Sequence, residues 1–184
     1  VSTPITPGLS VTPSQDQVYQ AMEAFLAGVL PSNVPVIRGL PNRAAMPPTP
    51  PGFVAMQALF ENRLRMAIDT FVTTGTAPPT TYSIEQGLEL MMQVDCYGKH
   101  SGTWASIIST TFQDTYGCNA LGPNCQPLYC NEARMIPLTN EELAYEERYS
   151  LDMRLQFNPV VTPPQQYTDA LDLELVNVDV TYPS

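Results

Sequence analysis

The chain has 184 residues, 43% of them hydrophobic, and 18 acidic residues against 8 basic ones give it a net charge of −10. Its length and apolar fraction suit one globular domain with an adequate core. It contains no membrane-crossing run of 18 or more apolar residues, and its first residues carry neither the basic flank nor the apolar stretch of an export signal. An acidic surface without clustered cations repels phosphates, which excludes nucleic-acid recognition by counterion release.

Residues 1–13 include Pro4, Pro7 and Pro13 among serines and threonines and have no periodic apolar pattern. They predict an extended arm, followed by a single domain over residues 14–184. Ser14 with Gln17 three residues on forms a capping box, and Val18, Met22, Phe25, Leu26 and Val29 recur at helical spacing, so an amphipathic helix is expected up to Pro31. Val34 to Gly39 is short and β-branched and predicts a strand at a sheet edge or start, where proline is tolerated. A proline cluster at 47–51 leads into Gly52–Leu64, whose apolar residues of both parities predict a strand covered on both sides. A further strand is expected around Met66–Val72, with Thr73–Thr81 closing a hairpin.

Along Ile84–Cys96 the apolar residues Ile84, Leu88, Leu90, Met92, Val94 and Cys96 share one parity, which predicts one continuous strand with a buried and a wet face. Trp104, Ile107, Ile108, Thr111 and Phe112 follow helical spacing, and Gly117 stands where a left-handed residue would end that helix. Trp104 lies on the apolar stripe and is expected in the core. Tyr116–Asn131 holds three cysteines, two glycines and two prolines and predicts an ordered loop. Tyr145–Phe157 alternates over its full length and carries the longest strand signal, and Ala170–Val180 predicts a last strand. This order predicts an α+β fold, a mainly antiparallel or mixed sheet packed by two amphipathic helices.

The residues offer no catalytic constellation. A hydrolase needs a nucleophile beside a base, but the one histidine, His100, lies in a polar junction before a helix and no G-x-S-x-G accompanies it. There is no P-loop and no G-x-G-x-x-G after a strand. Glu141, Glu142, Glu146 and Glu147 predict solvated surface rather than an acid/base pair. The cysteines are spaced C-x6-C and C-x4-C at Cys118, Cys125 and Cys130, which does not match the close pairs of a zinc site. Cys96 is expected to face the core by strand parity. No metal or other cofactor is expected.

Three blocks of residues carry a family resemblance. They are Val34-Pro35-Val36-Ile37-Arg38-Gly39 with Asn42-Arg43 and Pro51-Gly52-Phe53-Val54-Ala55-Met56, then Gln93-Val94-Asp95-Cys96-Tyr97-Gly98, then Pro127-Leu128-Tyr129 with Leu155-Gln156-Phe157-Asn158-Pro159-Val160-Val161. Pro164-Gln165-Gln166-Tyr167 and Val176-Asn177-Val178-Asp179 complete the pattern. In this order they resemble the tail-terminator proteins of the neck of tailed bacteriophages, while the threonine-rich hairpin and the cysteine segment depart from it.

The resemblance implies a tail-terminator-like structural protein of the virion, assembled in the bacterial host cytoplasm and without enzymatic activity. It also implies a homo-oligomeric, hexameric ring that ends the tail tube, joins it to the head connector or adaptor proteins, meets the sheath where the tail has one, and lets DNA pass without specific binding. A head-completion or connector protein of the same neck is the alternative within that class. A secreted binding domain with disulfides among Cys96, Cys118, Cys125 and Cys130 is the alternative outside it. Ring and neck contacts are expected from the segments too long and proline-rich to be simple connections: Pro4 and Pro7 in the arm, Thr76, Pro78 and Pro79 at the hairpin tip, and Tyr116, Asn119, Leu121 and Pro123 in the cysteine segment.

Overall fold

At the start of the first helix the Ser14 side chain accepts a hydrogen bond from the Gln17 amide at 3.3 Å, while the Gln17 side chain accepts from the Ser14 amide at 2.7 Å. The capping box therefore forms as the sequence predicts, and satisfies backbone donors that a helix leaves open. The structure is a computed structural model that describes residues 9–39, 47, 50–73, 80–139 and 145–163. In chain order its elements are β1 (Val11–Thr12), α1 (Gln15–Val29), β2 (Val36–Arg38), β3 (Phe53–Arg63), β4 (Ile68–Thr73), β5 (Thr80–Glu85), β6 (Leu88–Tyr97), α2 (Ser101–Phe112), α3 (Thr115–Leu121), a 3-10 turn (Gly122–Asn124), β7 (Gln126–Cys130), β8 (Arg134–Met135), β9 (Leu138–Thr139), β10 (Tyr145–Glu146), β11 (Arg148–Phe157) and β12 (Val160–Val161). The fold is α+β, as expected.

The main sheet runs β2-β3-β6-β11-β7, with β8 also paired to β11. All of its pairings are antiparallel except β2 with β3, and β2 lies at the edge. Register explains the core. Met56 faces Val94, which faces Leu151, and in the next row Ala58 faces Met92, which faces Met153. Helices α1 and α2 lay Val18, Met22, Phe25, Leu26, Trp104, Ile108 and Phe112 on this one face, all in one cluster with the sheet residues. Phe25 and Phe112 meet edge to face at 5.8 Å, a favoured aromatic geometry.

The opposite sheet face carries paired charges. Arg148 donates to Asp95 at 2.7 Å and Arg154 to Glu89 at 2.8 Å, while Arg134 pairs with the buried Asp152. This face is the wet one by parity, but Asp95, Glu89, Arg148 and Arg154 are half-buried because they lie along one another.

Several expectations need correction. The stretch Ile84–Cys96 is two strands in two sheets, since Gly87 breaks it: a Cβ there would lie 2.8 Å from Arg65 Nε. Only Phe53–Met56 of β3 is buried on both sides, and from Gln57 onward the strand is mostly exposed. A β-bulge between Ala58 and Phe60 leaves both Leu59 and Phe60 exposed. Gly117 does not stop α2. That helix ends at Phe112 with Gln113 in right-handed conformation, and Gly117 is buried inside α3, where a Cβ would lie 2.1 Å from the Phe112 carbonyl oxygen. Close packing of α3 on the end of α2 demands the glycine.

The predicted loop over Tyr116–Asn131 is instead most of α3, the 3-10 turn and β7. Among the described residues three α-helices therefore stand where two were expected. The Tyr145–Phe157 strand is interrupted at Glu147, leaving β10 paired with β9 and β11 in the main sheet. Within the predicted arm, Val11 and Thr12 form β1, paired with Val161 and Val160 of the same chain. The hairpin is present, with Thr73 facing Thr80. Its tip at 74–79 and the expected strand Ala170–Val180 lie outside the described residues.

Candidate assembly surfaces

Strands β3 and β6 pair as far as Arg63 and Leu88, and beyond them β4 and β5 continue the same two chain segments into a second sheet of order β1-β12-β5-β4. The junction is fixed locally. The Leu64 amide donates to the Gly87 carbonyl at 3.0 Å, the Gln86 side chain donates to the Arg65 carbonyl, and Arg65 pairs with Glu85. Among the described residues β12 covers only the Ile84–Glu85 end of β5, and the rest of β4 and β5 pairs as a two-stranded ribbon.

That ribbon exposes apolar side chains on both faces, among threonines, Ser83, Asp69 and Glu85. Ile68 and Val72 share one parity and Phe71 the other, and all three are exposed, Phe71 at 60%. Phe71 stacks on its cross-strand partner Tyr82 at 4.7 Å. At the ribbon's base Leu64 is exposed and Met66 is 89% exposed. Such ribbons are marginal in water unless something packs on them, and contiguous exposed apolar surface of this kind marks an interaction site. A signal existed in the sequence, since apolar residues of both parities stand in β4.

A second apolar surface lies at the β7 edge of the main sheet. Leu128 and Tyr129 on β7, Met135 on β8 and Ile136 beside it are all exposed. α3 packs beside β7. Of the residues predicted for contact, Tyr116 is exposed on α3, with its hydroxyl donating to the Gly28 carbonyl at 3.3 Å. Asn119 and Pro123 are exposed nearby. Leu121, in contrast, is buried in the core at the end of α3. Pro4, Pro7, Thr76, Pro78 and Pro79 lie outside the described residues.

A concavity of about 710 Å³ opens where the Pro50–Pro51 turn, the end of α1 and the start of α2 meet. Pro31, Val34, Pro50, Pro51 and Trp104 give it apolar walls, and Asn33, Lys99, His100, Glu146 and Glu147 give it polar ones. His100 caps α2 with no side-chain hydrogen bond to the helix. The concavity brings His100 together with Glu146 and Glu147, and among the described residues no serine, threonine or cysteine lines it to act as a nucleophile. Glu141 and Glu142 lie outside the described residues.

All four cysteines are free thiols. Burial pushes the Cys96 thiol up to about 12, and pushes Cys125 and Cys130 up to about 11 each. Thiols held neutral in this way are poor nucleophiles and poor metal ligands. Among the described residues no three His, Cys, Asp or Glu side chains gather as metal ligands, and no helix is long and apolar enough to cross a membrane.

The sequence profile of a family described as phage neck terminator protein matches residues 16–183. No curated protein matches the chain.

Proposed function

The chain belongs to the phage neck terminator family, a structural kind of virion protein, and from that membership we propose that it works as a closed homomeric ring of six copies. The ring ends the tail tube, joins it to the head connector or adaptor proteins, and has no enzymatic activity. In this reading an arm over residues 1–13 and a single domain over residues 14–184 make up each subunit. The observation that carries the proposal is the β4–β5 ribbon, which exposes Ile68, Phe71 and Val72 on its two faces.

A cyclic ring needs two different surfaces on each subunit that fit one another. The ribbon supplies one. The β7 edge with Leu128, Tyr129, Met135 and Ile136, beside Tyr116, Asn119 and Pro123 of the α3 region, supplies the other. An edge strand with open backbone groups and apolar side chains is a natural acceptor for another strand. Six copies at −10 carry about −60 in total, and a bore lined by part of that charge passes DNA without holding it.

The test is a Phe71→Asp, Val72→Asp double variant compared with the unaltered protein by analytical ultracentrifugation and electron microscopy, alone and on tail tubes. The unaltered protein is expected as six-membered rings, and the variant as folded monomers with unchanged circular dichroism. Monomers of the unaltered protein in both settings would refute the ring.

A further inference from the structure

The second sheet, β1-β12-β5-β4, is joined to the main sheet along one row of residues. Strands β3, β6 and β11 are paired side by side as far as Arg63, Leu88 and Phe157, and pairing resumes at Ile68, Glu85 and Val160 of β4, β5 and β12. Between these two levels each of the three chain segments carries a feature that interrupts a ladder. Pro159 has no amide hydrogen to donate, and Gly87 has no side chain to pack. On the third segment Leu64, Arg65, Met66 and Ala67 stand opposite only Gln86 and Gly87, an excess that bends the pair as a bulge does.

What crosses this row is a small set of polar contacts centred on Gln86. Its backbone amide donates to the Pro159 carbonyl at 3.0 Å, and its side-chain amide donates to the Arg65 carbonyl at 2.5 Å and the Gly87 carbonyl at 3.2 Å. One residue therefore holds all three segments. The Leu64 amide on the Gly87 carbonyl and the Arg65–Glu85 pair add to it. The core adds little: among the described residues it takes in Leu88 and Phe157 on the main-sheet side of the row, and no side chain of β1, β4, β5 or β12. Two bodies tied by polar bonds at a row of broken pairing, and not by a shared core, turn against each other at low cost.

We propose that this row is a hinge pinned by Gln86, about which the second sheet turns as a unit relative to the main sheet. The six residues of β5 reach about 20 Å from the row, so a turn of ~20° carries the far end of the ribbon by about 7 Å. The turn changes the angle at which Ile68, Phe71 and Val72 are presented and leaves the ribbon itself unaltered. In the ring reading above, on which this last step rests, the hinge lets the ribbon of one subunit adjust to the next, and Gln86 sets its resting angle.

Spin labels on Glu23→Cys in α1 and Thr81→Cys in β5, both exposed positions, report the angle as a distance distribution by double electron–electron resonance. The labelled chain also carries Cys118→Ala and Cys130→Ala, and is diluted into an excess of unlabelled chains so that distances within one subunit are read. Adding Gln86→Ala is expected to widen the distribution at least twofold, with hydrogen exchange of the β4 and β5 amides no faster than without it. An unchanged width overturns the hinge, because the row is then rigid without its pin. A wider distribution with faster exchange in β4 and β5 shows the ribbon melting and not turning, and overturns it as well. Sedimentation of the same samples reads the ring separately: monomers throughout refute the ring reading, and the width still decides the hinge.

Discussion

Gly98 packs directly on Gly52: a Cβ on Gly98 would lie 3.0 Å from the Gly52 Cα, and one on Gly52 would lie 2.2 Å from the Tyr97 carbonyl oxygen. Both glycines have left-handed φ angles, +107° at Gly52 and +108° at Gly98. The entry to β3 and the exit from β6 are thus held backbone to backbone, with Trp104 beneath Gly52, and this contact shapes one wall of the concavity.

Replacing Gly52 by Ala should therefore destabilise the protein by about 3 kcal/mol, from a strained φ together with a backbone clash that no side-chain movement relieves. Chemical denaturation measures it. A loss below a few tenths of a kcal/mol would show that the two turns can separate.

The Arg148 guanidinium is mostly buried, pairs with Asp95 and lies 5.5 Å from the Tyr97 ring centre. Tyr97 in turn stacks on Phe53 at 4.4 Å. Arg148→Ala leaves the Asp95 carboxylate, among the described residues, with the Gln93 amide as its remaining side-chain donor, and an expected cost of about 2 kcal/mol follows from the uncompensated charge. Adding Asp95→Asn to that variant should recover part of the loss, which a double-mutant cycle reads directly.

Alkaline pH should weaken the fold through its thiols. The folded state raises Cys96 from an ordinary value of 9.0 to about 12, chiefly by burial and also through the nearby Asp95 charge. Because the folded value is raised, this stabilising contribution is complete below about pH 9 and is lost as pH climbs towards 12. Cys125 and Cys130, raised to about 11, act in the same direction. Denaturation midpoints should fall between pH 9 and 11, and Cys96→Ala should flatten that slope even though it lowers stability at pH 7. An unchanged slope in the variant would place the alkaline sensitivity elsewhere.

Removing residues 1–13 should separate folding from assembly. It deletes the exposed two-residue strand β1 and its pairing with β12, at a cost of about 1 kcal/mol, while the capping box at Ser14 remains to start α1. Unchanged far-ultraviolet circular dichroism with loss of rings is the expected result. Unfolding of the truncated chain would show that the arm belongs to the core.

Ser14→Ala, by contrast, should cost about 1 kcal/mol without touching assembly, since it opens only the cap of α1. Thermal unfolding and sedimentation of the same sample check both halves of the statement.

Local chemistry made much of this protein readable from its residues. The capping box at Ser14 and Gln17, the apolar stripe of α1, the buried parity of Leu90, Met92, Val94 and Cys96, and the alternation of β11 are all set by periods of 3.6 and 2 that side chains impose wherever one face is buried. The α+β class follows from their order. The ordered blocks of residues also carried the family resemblance that the match over residues 16–183 bears out.

Tertiary contact decided the rest. Gly87 divides one apparent strand into two because Arg65 crosses it, and Gly117 stays inside a helix because Phe112 leaves no room for a Cβ. The cysteine-rich stretch becomes α3 and β7 because Leu121 and Cys125 find the core, a burial that no count of glycines and prolines reveals. The ribbon's two exposed apolar faces and the concavity beside Trp104 are likewise products of packing. Each depends on which surfaces the rest of the chain leaves uncovered, and that is a property of the assembled fold rather than of any segment within it.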